Sequence, residues 1–486
     1  MTPVPHGMPG VMFDAVAAGG GGAAALELLA RAEHSRRLAC AYAVTRTAGE
    51  LGGASAGEAG RAWELFDAAT RADPVATAAV LSHPAAGPAL FGLLARLVRE
   101  RDGRTGEEPE ETAAEAAEKA EAAAEKAAAG TGHGGPPIRW FTALAAAAAV
   151  RAGLPGRVEW PVDGDRVALP SLGRTRFPGA RPGDRARLRV TADGRSLVTL
   201  ADASGTDTDG PVPVPARGYG GTGRWQGARL LDTLDGGAPL LLDVLDQPYF
   251  PNAAPHPADL GAGETRHWET VAREACALLR ADLPQAYAEL AAGPLLLVPL
   301  VSRGPGQVSG SSAEAFGCVA LSRPPTGTTF AVTLVHEMQH NKLAALLHLF
   351  DLLEPSDAER FYAPWRPDPR PLLGLFHGAY AHLGVARFWN ARRESEPDPA
   401  LRATAHVLFA RWRLAAREAT VTVLASNRLT GLGERFAGQM LTTLDALCAL
   451  PVPAAARHRA ESAAHAHHTA WHARNGTTLR VPAREG

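Results

Sequence analysis

Residues 333–353 read TLVHEMQHNKLAALLHLFDLL and set His336, Glu337 and His340 in an H-E-x-x-H arrangement. Two imidazoles four apart on a helix share one face, close enough for both to reach a single ion. In zinc peptidases the Glu of such a pair is general base toward a metal-bound water. The pattern fixes only three residue types, so its context matters. A short apolar strand at 318–321, a turn with Pro324 and Pro325, and an apolar helical run surround it. The segment is therefore read as a metal-binding helix rather than a helix with two structural histidines.

A metal centre needs further ligands, and this helix does not offer one easily. His348 lies eight residues past His340, about 12 Å along the axis, and is read as a surface or core histidine. The longer H-E-x-x-H-x-x-G-x-x-H pattern fails, because Leu343 and Leu346 stand where its Gly and third His would be. The following helix, PLLGLFHGAYAHLGVARFW, carries His377 and His382. Five residues turn a helix by roughly 140°, so one of the two is expected to face the metal. His377 is the choice, since Gly374 and Gly378 beside it permit close helix approach. Glu354, Glu394 and Glu396 are the alternative, carboxylate ligands.

Between the two helices lies FYAPWRPDPRP, whose prolines make it a rigid, non-helical loop. Arg366 and Arg370 sit there with Tyr362, Trp365 and Asp368. Fixed guanidinium groups beside a metal suit a carboxylate-bearing ligand, because Arg pairs with carboxylate bidentately. A loop pinned by Arg–Asp pairs is the equal alternative.

Together, LVHEMQHNKLAALLHL, YAPWRPDPRP and LFHGAYAHLGVARF resemble the HExxH-motif peptide-modifying proteins associated with ribosomally made peptide natural products. The resemblance is densest over 309–425, reaches loosely to LPSLG, and does not include the first hundred residues. It implies an iron(II), α-ketoglutarate-dependent oxygenase, with O2 as co-substrate, that hydroxylates a β-carbon of a precursor peptide. It further implies that His336, His340 and His377 hold iron, and that Arg366 or Arg370 anchors the co-substrate carboxylate. A hydroxylase needs no base to make hydroxide, which leaves the role of Glu337 open. The usual oxygenase set is two His and one carboxylate, so three histidines would be a departure. If a carboxylate is the third ligand, Glu337 or Glu354 would be it. The alternative function is a Zn(II) peptidase acting on a peptide with Glu337 as base. A non-catalytic scaffold is the third.

The elements that must position these residues follow from composition and periodicity. At about 100–200 residues per domain, 486 residues make two to four folding units. Ala/Leu periodicity makes an N-terminal helical region of residues 1–100. Residues 101–137, EEPEETAAEAAEKAEAAAEKAAAG at their centre, hold strong helix formers and almost no large apolar residue, which makes a solvated helix or linker. A β-rich region is expected over 138–262, with alternating Val158, Trp160 and Val162 and a hairpin around Asp193-Gly194. Residues 263–486 read as the mainly helical catalytic region, with PLLLVPLVS and FGCVALS as buried strands. The fold class is thus α+β, predominantly helical, with a β-rich insert in the middle and a helical metal-binding C-terminal half. The N-terminal helices and the insert, taken as separate from the metal core, are expected to recognise the peptide. Deleting residues before about 130 should then spare the metal site.

Other functions are disfavoured. The 49 basic and 51 acidic residues give a net charge of −2, with no global attraction to nucleic acid or anionic membrane. Only three of the basic residues are Lys (Lys119, Lys126 and Lys342). Cys40, Cys276, Cys318 and Cys448 form no CxxC pair, which argues against a disulfide framework or a Cys-type zinc module. The first residues lack the pattern of a signal peptide. The longest apolar run, 141–150, is too short to span a bilayer, and a cytoplasmic protein is expected. Gly218 to Gly223 match G-x-G-x-x-G, but PVPVP precedes them and Pro disrupts a central strand, so a flexible loop is the reading. His465, His467, His468 and His472 read as the polar face of a C-terminal helix. Ser309, Ser311 and Ser312 have no base paired to them by any motif.

Overall fold

The computed structural model describes residues 6–103, 137–162, 164–243, 260–293, 295–302, 306–355 and 359–476. The central part of the Ala/Glu-rich segment, and with it the linker reading, lies outside the described residues.

The Ala/Leu-periodic region folds into α1 (Gly10–Ala17), α2 (Gly22–Leu51), α3 (Gly53–Ala72), α4 (Pro74–Ser82) and α5 (Ala86–Arg101). Gly52 and Gly53 break α2 from α3 by both taking positive φ, 75° and 65°, where a Cβ would be strained. Asp73 caps α4 by accepting from the amides of Val75 and Ala76, ahead of a proline whose missing N–H costs nothing at that position. The apolar run 141–150 is the interior of α6 (Arg139–Arg151), buried along its whole length. Its Ala-rich surface lets α3, α4 and the first strands approach from several sides.

The β-rich region holds two small four-stranded sheets. One has the order β1-β4-β5-β6, from β1 (Gly156–Pro161), β4 (Arg185–Val190), β5 (Ser196–Ala201) and β6 (Val212–Pro213). The other has the order β2-β3-β8-β7, from β2 (Arg166–Leu169), β3 (Gly173–Arg176), β7 (Gly221–Thr222) and β8 (Trp225–Gln226). The hairpin around Asp193-Gly194 forms as its turn chemistry implies, pairing Val190 with Ser196. The G-x-G-x-x-G stretch runs into the β7–β8 hairpin and opens no helix, the context a dinucleotide site requires. One apolar cluster joins Phe66, Leu90, Phe141, Trp160, Leu188 and Trp225, so helices and both sheets share this core.

A third, five-stranded sheet crosses from the β-rich region into the C-terminal half. Its order is β12-β13-β11-β10-β9, from β9 (Arg229–Thr233), β10 (Pro239–Leu242), β11 (Leu295–Leu300), β12 (Ser309–Gly310) and β13 (Cys318–Ser322). β10, β11 and β13 run parallel, with an antiparallel strand on each edge. Every residue of β11 and β13 is buried, as expected for parallel strands covered on both faces. Between β10 and β11 come α7 (Ala262–Asp282) and α8 (Pro284–Ala291); β13 leads into α9 (Gly327–Leu347), the helix of the H-E-x-x-H motif. The Thr326 hydroxyl caps α9 by accepting from Thr329 N at 3.1 Å.

After α9, β14 (Arg360–Phe361) and β15 (Arg370–Pro371) pair and bracket the proline-rich loop. Four helices follow: α10 (Leu372–Ser395), α11 (Pro399–Leu424), α12 (Gly431–Ala449) and α13 (Ala454–Asn475). The molecule is α+β and predominantly helical. No single described helix is long and apolar enough to cross a membrane.

The N-terminal helices are not separate from the half that carries the H-E-x-x-H motif. Phe13, Val16, Ala17 and Leu29 share an apolar cluster with Leu343, Phe376, Tyr380, Phe436 and Met440. The Tyr380 hydroxyl donates to Val16 O at 2.5 Å, across 364 residues of chain. A deletion before residue 130 would remove part of the core that supports α9 and α10. The separateness on which the expectation of a spared metal site rests is not present, since the two regions share one core.

Candidate metal centre

Helix α9 is held on almost every side, and its polar residues do the holding. Asn341 accepts from Gly317 N at 2.8 Å and donates to Cys318 O at 3.3 Å, fastening α9 to β13. Gln339 donates to Gly19 O at 3.1 Å. Lys342, 1% exposed, donates to Gly20 O at 2.9 Å and pairs with the Glu289 carboxylate at 2.8 Å. On the remaining face, His336 and His340 bring their Nε2 atoms to 3.1 Å, with ring centroids 4.7 Å apart. Imidazole nitrogens about 2.1 Å from one ion stand roughly 3.0 Å apart at a right angle and roughly 3.4 Å apart at a tetrahedral angle. The observed separation falls in that interval.

Helix α10 runs antiparallel beside α9 and presents both of its histidines to the pair. The His377 ring lies 5.7 Å from that of His340, and the His382 ring 5.1 Å from that of His336. Both rings lie beside the pair because the pairing is antiparallel, so that each α10 histidine meets a different turn of α9. Gly374 and Gly378 do not serve helix approach either. A Cβ at Gly374 would stand 3.2 Å from the Arg370 guanidinium, and one at Gly378 2.7 Å from Trp365 Cε2, so both glycines admit side chains of the loop. The close approach of the two helices is at Gly384, where a Cβ would stand 2.7 Å from Gln339 Cγ.

His382 is sandwiched, stacked on Trp365 at 4.3 Å and touching Trp412 at 4.8 Å. Burial, with the charges of His336 and Arg411 adding to it, pushes its pKa down to about 3, so the ring is neutral. Its Nδ1 lies 2.8 Å from Gly378 O. The tautomer that satisfies this contact carries the proton on Nδ1 and leaves the Nε2 lone pair available, as backbone-oriented metal ligands do. Among the described residues, no group of three or more His, Cys, Asp or Glu side chains is already drawn round one point. What is formed is the His336–His340 pair with His377 and His382 beside it.

Glu337 is 1% exposed and accepts from Ser309 Oγ at 2.8 Å, with His336 Nε2 3.9 Å from the same carboxylate oxygen. Ser309 belongs to the edge strand β12, so the outer rim of the five-stranded sheet touches the motif. The other carboxylates are placed elsewhere. Glu396 pairs with Arg392, Glu394 with Arg393 at 3.4 Å, and Glu354 lies exposed, its amide bonded to Arg428 O. His348 Nδ1 meets Glu33 Oε1 of α2 at 2.7 Å.

In the loop, Arg366 Nε donates to Asp368 Oδ1 at 3.0 Å and Arg370 Nη1 to Oδ2 at 3.4 Å. Burial pushes the Asp368 carboxyl up, but the two guanidinium groups outweigh it and hold it below the usual carboxylate range. Arg370 is only 3% exposed. The loop is therefore pinned by Arg–Asp pairs, one of the two roles left open above. A further guanidinium, Arg411, went unseen in the sequence. It stacks on Trp412 at 4.8 Å and its charge acts on His382 and on His467 of α13. Among the described residues, no carboxylate pairs with it. Nothing local marks Arg411 and Trp412, because their neighbours come from other helices.

No family model matches this chain, and no curated protein matches it.

Proposed function

We propose that the protein is an iron(II), α-ketoglutarate-dependent oxygenase that hydroxylates a β-carbon of a ribosomally made precursor peptide. One observation carries the reading. The three sequence blocks behind the resemblance, which lie on two helices and the loop that joins them, meet at one place: His336 and His340, then Trp365 with the Arg366–Asp368–Arg370 cluster, then His377 and His382.

The residues fit the metal by their chemistry, since neutral imidazoles suit Fe(II) and Zn(II) alike, and by the 3.1 Å approach of His336 and His340. His336, His340 and His377 would hold iron. With α-ketoglutarate and O2, iron supplies oxidation of a C–H bond; one oxygen atom enters the peptide and the other enters succinate, with CO2 released. The protein's part is positioning. Trp365 and Trp412 wall one side and keep water from His382. Arg411, whose charge is not neutralised by a described carboxylate, suits the co-substrate carboxylate better than Arg366 or Arg370, which Asp368 already engages. Ser309 orients Glu337.

The test is anaerobic loading with Fe(II) and α-ketoglutarate, read as the weak visible charge-transfer band of a chelated keto acid. The band should form in the parent protein and vanish in His336→Ala. Its absence, with zinc held tightly and peptide cleavage that depends on Glu337, would replace this reading by the peptidase. One feature favours that second reading: the buried Glu337 carboxylate beside His336, where a general base would stand.

A further inference from the structure

Helix α13 carries a second histidine pair with the geometry of the first. His468 and His472 stand four apart with Nε2 atoms 3.1 Å from each other and ring centroids 4.3 Å apart. The same Nε2 separation occurs at His336 and His340. The rings are held in place by neighbours. Tyr362 packs edge-on against His468 at 5.1 Å, and its hydroxyl is 2.9 Å from His467 Nδ1. Trp471 packs edge-on against His472 at 5.3 Å. Both histidines are half-buried, so water reaches them. Without an ion, this approach requires one ring to donate its Nε2 proton to the other. With an ion, both lone pairs are used at the separation that cis ligation demands.

We propose that His468 and His472 form a second metal site, which takes a borderline divalent cation such as Zn²⁺, Ni²⁺ or Cu²⁺ with water completing its coordination. It is carried by a different helix from the centre on α9 and α10, and different residues of the proline-rich loop pack on the two sets of rings, Tyr362 on His468 and Trp365 on His382. Asn475 donates to Pro367 O at 2.8 Å, and with the Tyr362–His467 contact this ties α13 to that loop. An ion on His468 and His472 would hold the helix against the loop that carries Trp365. The proposal does not depend on what reaction the first centre performs.

The test uses the full chain, stripped with chelator and titrated with Zn²⁺ alone, with stoichiometry read by calorimetry and by metal analysis after gel filtration. His468→Ala/His472→Ala should bind one equivalent fewer than the parent. His336→Ala/His340→Ala should keep the equivalent that the first variant loses. Single His472→Gln should weaken that equivalent at least tenfold with an unchanged circular dichroism spectrum, which separates loss of a ligand from misfolding. Equal stoichiometry in the parent and in His468→Ala/His472→Ala would overturn the proposal. If the parent binds a single equivalent and His468→Ala/His472→Ala binds none, the site stands and the metal assignment on α9 falls instead.

Discussion

Gly378→Ala probes the layered packing at the candidate site directly. Gly378 lies inside α10, where Ala is the better helix former by about 1 kcal/mol. Here the new Cβ would stand 2.7 Å from Trp365 Cε2 and 2.9 Å from Nε1, and closer still to Cζ2. The indole is rigid and is already wedged against the His382 ring, so it cannot yield by rotating a flexible end. Overpacking of this kind costs about 1–3 kcal/mol, and loss of the ring stack adds about 0.5–1.5 kcal/mol. Net of the helix gain, Gly378→Ala should destabilise by about 1–3 kcal/mol. Trp365→Ala removes the obstacle, and in that background Gly378→Ala should stabilise by about 1 kcal/mol. The sign reversal gives a coupling of about 2–4 kcal/mol, measured from urea unfolding of the four proteins. If Gly378→Ala shifts stability equally in both backgrounds, Trp365 does not fill that space, and the account of the site's inner wall fails.

Two more predictions concern the supports of α9. Lys342→Met should cost about 3–5 kcal/mol by stranding the buried Glu289 carboxylate, and Glu289→Gln added to it should recover most of the loss; equal stability of the single and double variants would refute this. Burial pushes the Glu33 carboxyl up, but the hydrogen bond and charge of His348 with Arg36 and Arg37 bring it below its usual value. Its folded pKa is thus depressed, so its stabilisation is complete above about pH 4.5 and is lost as pH falls through the lower folded value. Glu33→Gln should be less stable at neutral pH and should lose up to one proton's slope, about 1.4 kcal/mol per pH unit, from the acid limb of the unfolding curve. An unchanged acid limb would remove Glu33 from the account.

What the sequence made legible was local. The four-residue spacing of His336 and His340 and the turn at Asp193-Gly194 each depend on neighbours within a turn or two, and each forms as read. The apolar β11 and β13 were equally plain, because buried parallel strands need no alternation. That His382 lies beside the pair along with His377 was not legible, because a helical wheel treats the partner as one direction, whereas an antiparallel helix offers a row of positions. Ser309 reads in the sequence only as a serine with no base paired to it by any motif; its contact with Glu337 is invisible there, since the partner is 28 residues away, on another element. Arg411 and Trp412 carry no local signal either; only the packing of α11 onto α10 brings them to His382.

The burial of α1 against the C-terminal helices has a consequence for synthesis. Asp14 pairs with Arg435 across 421 residues, and Val16 meets Tyr380 across 364. At roughly 5–20 residues per second, a ribosome takes about 20–85 s to make the second partner after the first. Through that time Phe13, Val16 and Leu29 lack the C-terminal side chains of the cluster in which they are buried. Helix α1 completes its docking long after it is made, so the half that carries the H-E-x-x-H motif does not complete its core in order of emergence. Its folding rate in the cell is set by late, long-range closure, and the nascent chain needs its early apolar residues shielded until then.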